Sequence, residues 1–215
     1  MHAVIVIVAL FLLIGLLIFV KKESTKGILI TKPSLSVLFV IVALIGPSAN
    51  QAYFAFVLAG LLFCVAGDVL LIFPAKKLFL AGLVSFLTGH VLYSIAFFTM
   101  ASPGTLTWSI AALCLLISGA VFVWLRTHLG TMLVPVIAYM AVITVMVIGA
   151  TALASNEQLG FTGRALVFCG AILFYFSDIF VARHRFVKKQ YINRLAGLPM
   201  YYAGQFMIAY SLRFI

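Results

Sequence analysis

Apolar residues in this chain come in long unbroken blocks, with the charges gathered between them. Eight blocks can be read, at about residues 3–20, 28–46, 52–73, 78–100, 106–125, 132–154, 161–182 and 196–214. Each can cross a hydrocarbon core of about 30 Å as a helix rising roughly 1.5 Å per residue. The connections are short, and no linker or low-complexity stretch marks a second domain. The pattern predicts one all-α integral membrane domain over residues 1–215, a bundle of about eight transmembrane helices. The prolines fit that parsing. Pro33, Pro135 and Pro199 are expected in first turns, and Pro47, Pro74 and Pro103 just beyond helix ends.

Composition narrows the class further. Of 215 residues, 66% are hydrophobic and 8% charged, and the mean hydropathy is +1.29. A soluble domain carries roughly 25% charged residues. These numbers exclude a soluble enzyme, a disordered chain and a nucleic-acid-binding domain, despite a net charge of +10. The charge is a topology signal instead. Twelve of the 14 lysines and arginines fall in alternate connections, with only Arg164 and Arg213 on the other side. The positive-inside rule then puts the basic connections in the cytoplasm and both termini outside, in the inner membrane if the cell is bacterial. The first block has no preceding positive charge and is followed by Lys21 and Lys22, the pattern of an N-out anchor. Cys64, Cys114 and Cys169 each lie in an apolar run, with no spacing that suggests a disulfide framework or a zinc site.

Two of the four acidic residues interrupt apolar blocks. Asp68 lies six residues before Pro74, and Asp178 five before Arg183. Each is therefore expected about 8–9 Å inside its helix end, both at the cytoplasmic side. An ionised carboxylate at that depth is costly unless paired or wetted, so two at one level suggest a functional pocket. The plain alternative is a pair of structural salt bridges, for instance to Lys32 or Arg183. Residues 60–69 resemble residues 170–179, each with a small residue and an aspartate at its eighth and ninth positions. The match suggests two parallel four-helix repeats.

Other polar side chains are expected at the same level. Lys32 can snorkel to the interface, meet a phosphate, or pair with an aspartate. His90 and Tyr93 share a helix face, and Ser94 follows one turn on. Tyr201, Tyr202 and Gln205 lie in the first half of the last block. Each also has an ordinary structural role, as interface belt residue or helix-packing hydrogen bond.

With these residues in place, the chain resembles the YhhN family, which includes the membrane lysoplasmalogenases. The resemblance rests on Lys32-Pro33, Gly67-Asp68, Phe86 with His90 and Tyr93, Ser177-Asp178, and Tyr202 with Gln205, in that order along the chain. It implies hydrolysis of the vinyl ether bond of lysoplasmalogens to a fatty aldehyde and a glycerophospho head group. The partners it implies are a lysophospholipid substrate and membrane lipid, with no nucleic acid, and it implies no metal or other cofactor.

The residue types suit that chemistry. Vinyl ether hydrolysis needs a proton on the alkene carbon, stabilisation of an oxocarbenium-like cation, and an activated water. Two carboxyls, one protonated and one ionised, can supply these, as in glycosidases. Asp68 and Asp178 are the catalytic candidates, and the sequence does not say which is acid and which is base. Lys32, His90, Tyr93, Ser177, Tyr202 and Gln205 are the candidates for binding or orienting substrate. The rival reading is a small proton- or cation-coupled transporter using the same aspartates. An intramembrane aspartyl protease lacks its motifs here. A three-histidine zinc site lacks its ligands, because only His90 of the four histidines falls inside one of the apolar blocks.

Overall fold

The structure, a computed structural model, describes residues 2–46 and 50–215; Pro47, expected to follow a helix end, lies outside them. Among the described residues eight α-helices follow one another: α1 (His2–Lys21), α2 (Thr25–Ile45), α3 (Gln51–Leu70), α4 (Lys76–Met100), α5 (Thr105–Leu129), α6 (Leu133–Ala154), α7 (Phe161–Ala182) and α8 (Tyr191–Ser211). No strand occurs among the described residues. A 3-10 turn, Gly130–Met132, joins α5 to α6, and a π-helical turn, Arg183–Val187, extends α7. Gly130 has φ +50°, a left-handed conformation that glycine adopts without a Cβ clash. The chain reverses there, and α6 packs back along α5. Side-chain caps start two helices: Ser24 Oγ accepts from Gly27 N at 3.4 Å, and Asn50 Oδ1 accepts from Tyr53 N at 2.9 Å.

The bundle is apolar outside and polar at its centre. Phe11, Leu116, Val134 and Phe161 are among the large side chains left exposed, whereas Ser36, Asp68, His90, Ser177 and Gln205 are fully buried. That distribution suits a lipid solvent, in which polar groups must find partners within the protein. Six stretches among the described residues are long and apolar enough to cross a membrane. One of them, Thr105–Ala154, holds both α5 and α6. The last helix, α8, is not among the six: it carries Asn193, Arg194 and Gln205 on its inner face.

The tightest packing is α3 on α4 and α7 on α8. Small residues allow it. A Cβ on Gly60 would sit 3.1 Å from the Gly89 carbonyl oxygen, and one on Gly204 would sit 2.7 Å from that of Gly170. Gly60 and Gly170 are the first residues of the two similar decapeptides.

Contacts gather the basic connections at one end of the bundle. Lys76 Nζ donates to Thr131 Oγ1 at 2.6 Å, Lys189 pairs with Glu23 at 3.2 Å, and Lys21 lies 5.9 Å from the centre of the Tyr191 ring. At the other end Asn156 Nδ2 donates to the Met100 carbonyl, and Tyr53 meets Ser211.

Two expectations from the sequence need correction. Pro33 and Pro199 do not start helices; each is the ninth residue of its helix. The segments before them are already helical, and neighbouring helices can re-satisfy the backbone groups an interior proline frees. For the same reason α8 begins at Tyr191 rather than near 196, and Lys32 lies well inside α2.

Candidate active site

A cavity of about 110 Å³ lies toward the basic end of the bundle. Apolar side chains such as Leu83, Val121, Leu125 and Ile143 form most of its wall. Asp68 and Asp178 both line it, so the fold brings the two aspartates, 110 residues apart in sequence, to one space.

Their surroundings differ. Asp68 on α3 is almost fully buried, and donors crowd it. Lys32 Nζ sits 3.0 Å from Oδ1 and also donates to the Asp68 backbone carbonyl at 2.9 Å. Ser36 Oγ and Tyr201 OH each donate to Oδ2 at 2.6 Å. Ser36 is one helical turn beyond Lys32, so α2 presents both on one face. A charged donor and two hydroxyls match the acceptor capacity of an ionised carboxylate.

A second layer extends from Tyr201. Gln205 Nε2 donates to Tyr201 OH at 3.3 Å, and Tyr93 OH donates to Gln205 Oε1 at 2.8 Å. The file of donors thus runs from α4 through α8 to the carboxylate on α3. Tyr202 serves a different role. Its hydroxyl donates to the Lys32 carbonyl at 3.2 Å and lies 3.3 Å from Ser36 Oγ, locking the turn of α2 that holds both.

Asp178 on α7 is more open, with 20% of its side chain exposed. Tyr139 OH, from α6, donates to its Oδ2 at 2.6 Å. His90 Nε2 lies 2.8 Å from that hydroxyl and 3.8 Å from the carboxylate. Since the tyrosine has one proton and gives it to Asp178, Nε2 is the donor to the Tyr139 oxygen. Nδ1 faces Met146 Sδ at 3.1 Å. The Phe174 ring separates the two clusters, 4.5 Å from the His90 ring and 5.1 Å from that of Tyr201, edge-on to both.

The candidates from sequence therefore divide. Lys32, Tyr202, Gln205 and Tyr93 belong to the network around Asp68, and His90 to that around Asp178. Ser177 lines the cavity but bonds back to the Phe174 carbonyl at 2.7 Å, reaching neither carboxylate. Ser36 and Tyr139 were not candidates from sequence, although each contacts an aspartate directly. Ser36 had a signal in its spacing from Lys32; Tyr139, alone in an apolar block, had none. Among the described residues no group of three or more His, Cys, Asp or Glu side chains comes together.

Comparison with known proteins finds relatives by sequence. The sequence model of the YhhN family matches residues 27–212, which spans α2 to α8. Lysoplasmalogenase TMEM86A of Bos taurus is 31% identical over 169 residues, covering 77% of this chain and 66% of that protein. Lysoplasmalogenase TMEM86B of Homo sapiens is 34% identical over 157 residues, covering 72% of this chain and 62% of that protein. The chain thus spans a little under two thirds of the length of each. No solved structure matches it significantly.

Proposed function

This chain belongs to the YhhN family, and we propose that it is a lysoplasmalogenase-type hydrolase cleaving the vinyl ether bond of lysoplasmalogens. The observation that carries the mechanism is the contrast between the two cavity carboxyls: Asp68 fully satisfied and cation-paired, Asp178 partly open.

In this reading Asp178 moves the protons and Asp68 supplies fixed negative charge. The Asp178 carboxyl, held at Oδ2 by Tyr139, delivers a proton to the alkene carbon one bond removed from the ether-bearing carbon. The alkene electron pair forms the new C–H bond, leaving an oxocarbenium ion at the ether carbon. Asp68, held by Lys32, Ser36 and Tyr201, stabilises that cation across the cavity. Water adds to the cationic carbon and gives its proton to the Asp178 carboxylate. The hemiacetal hydroxyl then gives up its proton as the bond to the glycerol oxygen breaks, and that oxygen takes up a proton, leaving Asp178 protonated as at the start. One water is consumed, and an aldehyde and an alcohol leave. Proton transfer by a positioned carboxyl contributes typically about 10²- to 10⁴-fold, so Asp178 is the residue whose loss costs most.

The same reading takes the bundle as eight crossings in two parallel four-helix repeats, the basic end in the cytoplasm and both termini outside. The close glycine contacts at Gly60 and Gly170, equivalent in the two decapeptides, support the repeat.

The test is aldehyde release from lysoplasmenylethanolamine by purified protein in detergent, beside Asp68→Asn and Asp178→Asn checked for folding. Wild type is expected to release aldehyde, and Asp178→Asn to lose at least about 10²-fold in kcat. A folded wild type that releases none, across head groups and added lipids, would sink the proposal.

A further inference from the structure

Four charged side chains line the cavity: Asp68, Asp178, Lys32 and Arg194. Lys32, the candidate from sequence for a phosphate, is already taken by Asp68. Arg194 is not taken by anything. It lies in the first turn of α8, partly buried, and among the described residues it has no hydrogen bond and no ion pair. All four acidic residues are accounted for elsewhere. Asp68 faces Lys32, Asp178 faces Tyr139, Glu23 faces Lys189, and Glu157 lies in the connection after α6, at the opposite end.

The surroundings of Arg194 make an anion more favourable still. Lys32 and Arg185 are close enough for charge to act between each of them and Arg194. Arg185 also stands over the Phe79 ring, which is part of the cavity wall, at 4.2 Å. Next to Arg194, Asn193 is spent on its own neighbours, accepting from Arg183 Nη1 at 2.6 Å and donating to the Lys188 carbonyl. The guanidinium of Arg194 is therefore the open cation of the cavity lining, with a fork of donors that matches a phosphate.

Its place on α8 matches the substrate's dimensions. Arg194, Gly197, Leu198 and Tyr201 all line the cavity, so they share one face of the helix. Tyr201 marks the level of Asp68 and lies seven residues on, about 10 Å along the axis. In a lysoplasmalogen the vinyl ether carbon and the phosphorus are six bonds apart, about 7 Å when extended at roughly 1.2 Å per bond. The two lengths differ by about 3 Å, which is within the length of an arginine side chain.

We propose that Arg194 holds the phosphodiester of the lysophospholipid, fixing the head group toward the basic end so that the vinyl ether lies level with the aspartates and the alkenyl chain runs along the apolar wall. This rests on the hydrolase reading above. A phosphodiester can also come from an anionic bilayer lipid, and the experiment separates the two sources.

The kcat/KM ratio between lysoplasmenylethanolamine and a 1-O-alkenylglycerol, which has no phosphate, is measured in neutral detergent without added lipid. Arg194→Gln is expected to lower that ratio roughly 10- to 100-fold, the worth of a charge-assisted hydrogen bond, chiefly through KM. Arg194→Lys is expected to restore part of it. An unchanged ratio overturns the proposal. So does an equal loss on both substrates with a lowered unfolding midpoint, or a loss seen only once phosphatidylglycerol is added. A second arm needs no turnover: a saturated alkyl lysophospholipid, compared with the matching alkylglycerol, protects wild type from thermal unfolding. Arg194→Gln is expected to abolish the extra protection given by the phosphate. If wild type releases no aldehyde from either substrate, the hydrolase reading fails, and this arm still decides for or against Arg194.

Discussion

Replacing Lys32 with methionine removes the cation from a buried ion pair and keeps most of the side-chain volume. Lys32 and Asp68 are 3.0 Å apart and both buried. Removing one partner of such a pair typically costs about 3–5 kcal/mol, because it strands an uncompensated charge. Asp68 would not be entirely stranded, since Ser36 and Tyr201 still donate to it at 2.6 Å. The lower end is therefore expected, about 3 kcal/mol. Adding Asp68→Asn removes the stranded charge, so Lys32→Met/Asp68→Asn is expected to be more stable than Lys32→Met alone by about 1–2 kcal/mol. Activity is expected to behave oppositely and to be lower in the double variant than in Lys32→Met, because the fixed negative charge is gone. The assay is reversible unfolding by an anionic detergent titrated into neutral micelles, followed by circular dichroism, with aldehyde release measured on the same preparations. A Lys32→Met protein as stable as wild type would refute the reasoning. So would a double variant no more stable than the single one, since the pair would then not be coupled.

Other consequences can be checked in the same way. Tyr139→Phe takes away the donor that holds Asp178 Oδ2 and is expected to lower kcat about 10- to 100-fold with a smaller change in KM, read by steady-state kinetics. Gly204→Ala places a Cβ 2.7 Å from the Gly170 carbonyl and 3.3 Å from Phe174 N, and is expected to destabilise by about 1–3 kcal/mol. In contrast, Gly119→Ala, with nothing within 4 Å, is expected to stabilise α5 by about 0.5–1 kcal/mol. Both are read as shifts in the unfolding midpoint.

The class of protein and the positions of most helices were legible in the sequence, because lipid-facing surface demands long apolar blocks. The start of α8 was not. Asn193 and Arg194 read as a loop, since polar residues in a membrane protein ordinarily mark water. Here they face inward, where the fold keeps its polar groups. Asp68 and Asp178 stood out as charges inside apolar helices, and their common cavity follows from helices that alternate in direction. The pairing of Asp68 with Lys32, 36 residues away, was one of several partners the sequence allowed. Tyr139 was unreadable, because a tyrosine in an apolar block looks the same whether it packs or donates. Only the approach of α6 to α7 gives its hydroxyl a carboxylate.

The file of donors from Tyr93 through Gln205 to Tyr201 and Asp68 has a direction. Every N–H and O–H along it points the same way, toward the carboxylate, so the dipoles add. It differs from a proton wire at one link. A hydroxyl can accept a proton on one side and release another, but the Gln205 amide cannot do so without becoming its high-energy imidic tautomer. The amide therefore transmits polarisation and blocks conduction. Asp68 receives the field of groups reaching to α4 while its charge stays insulated from them. Replacing Gln205 with a hydroxyl-bearing side chain and a water would close the circuit, and a stabiliser of charge would become a leak.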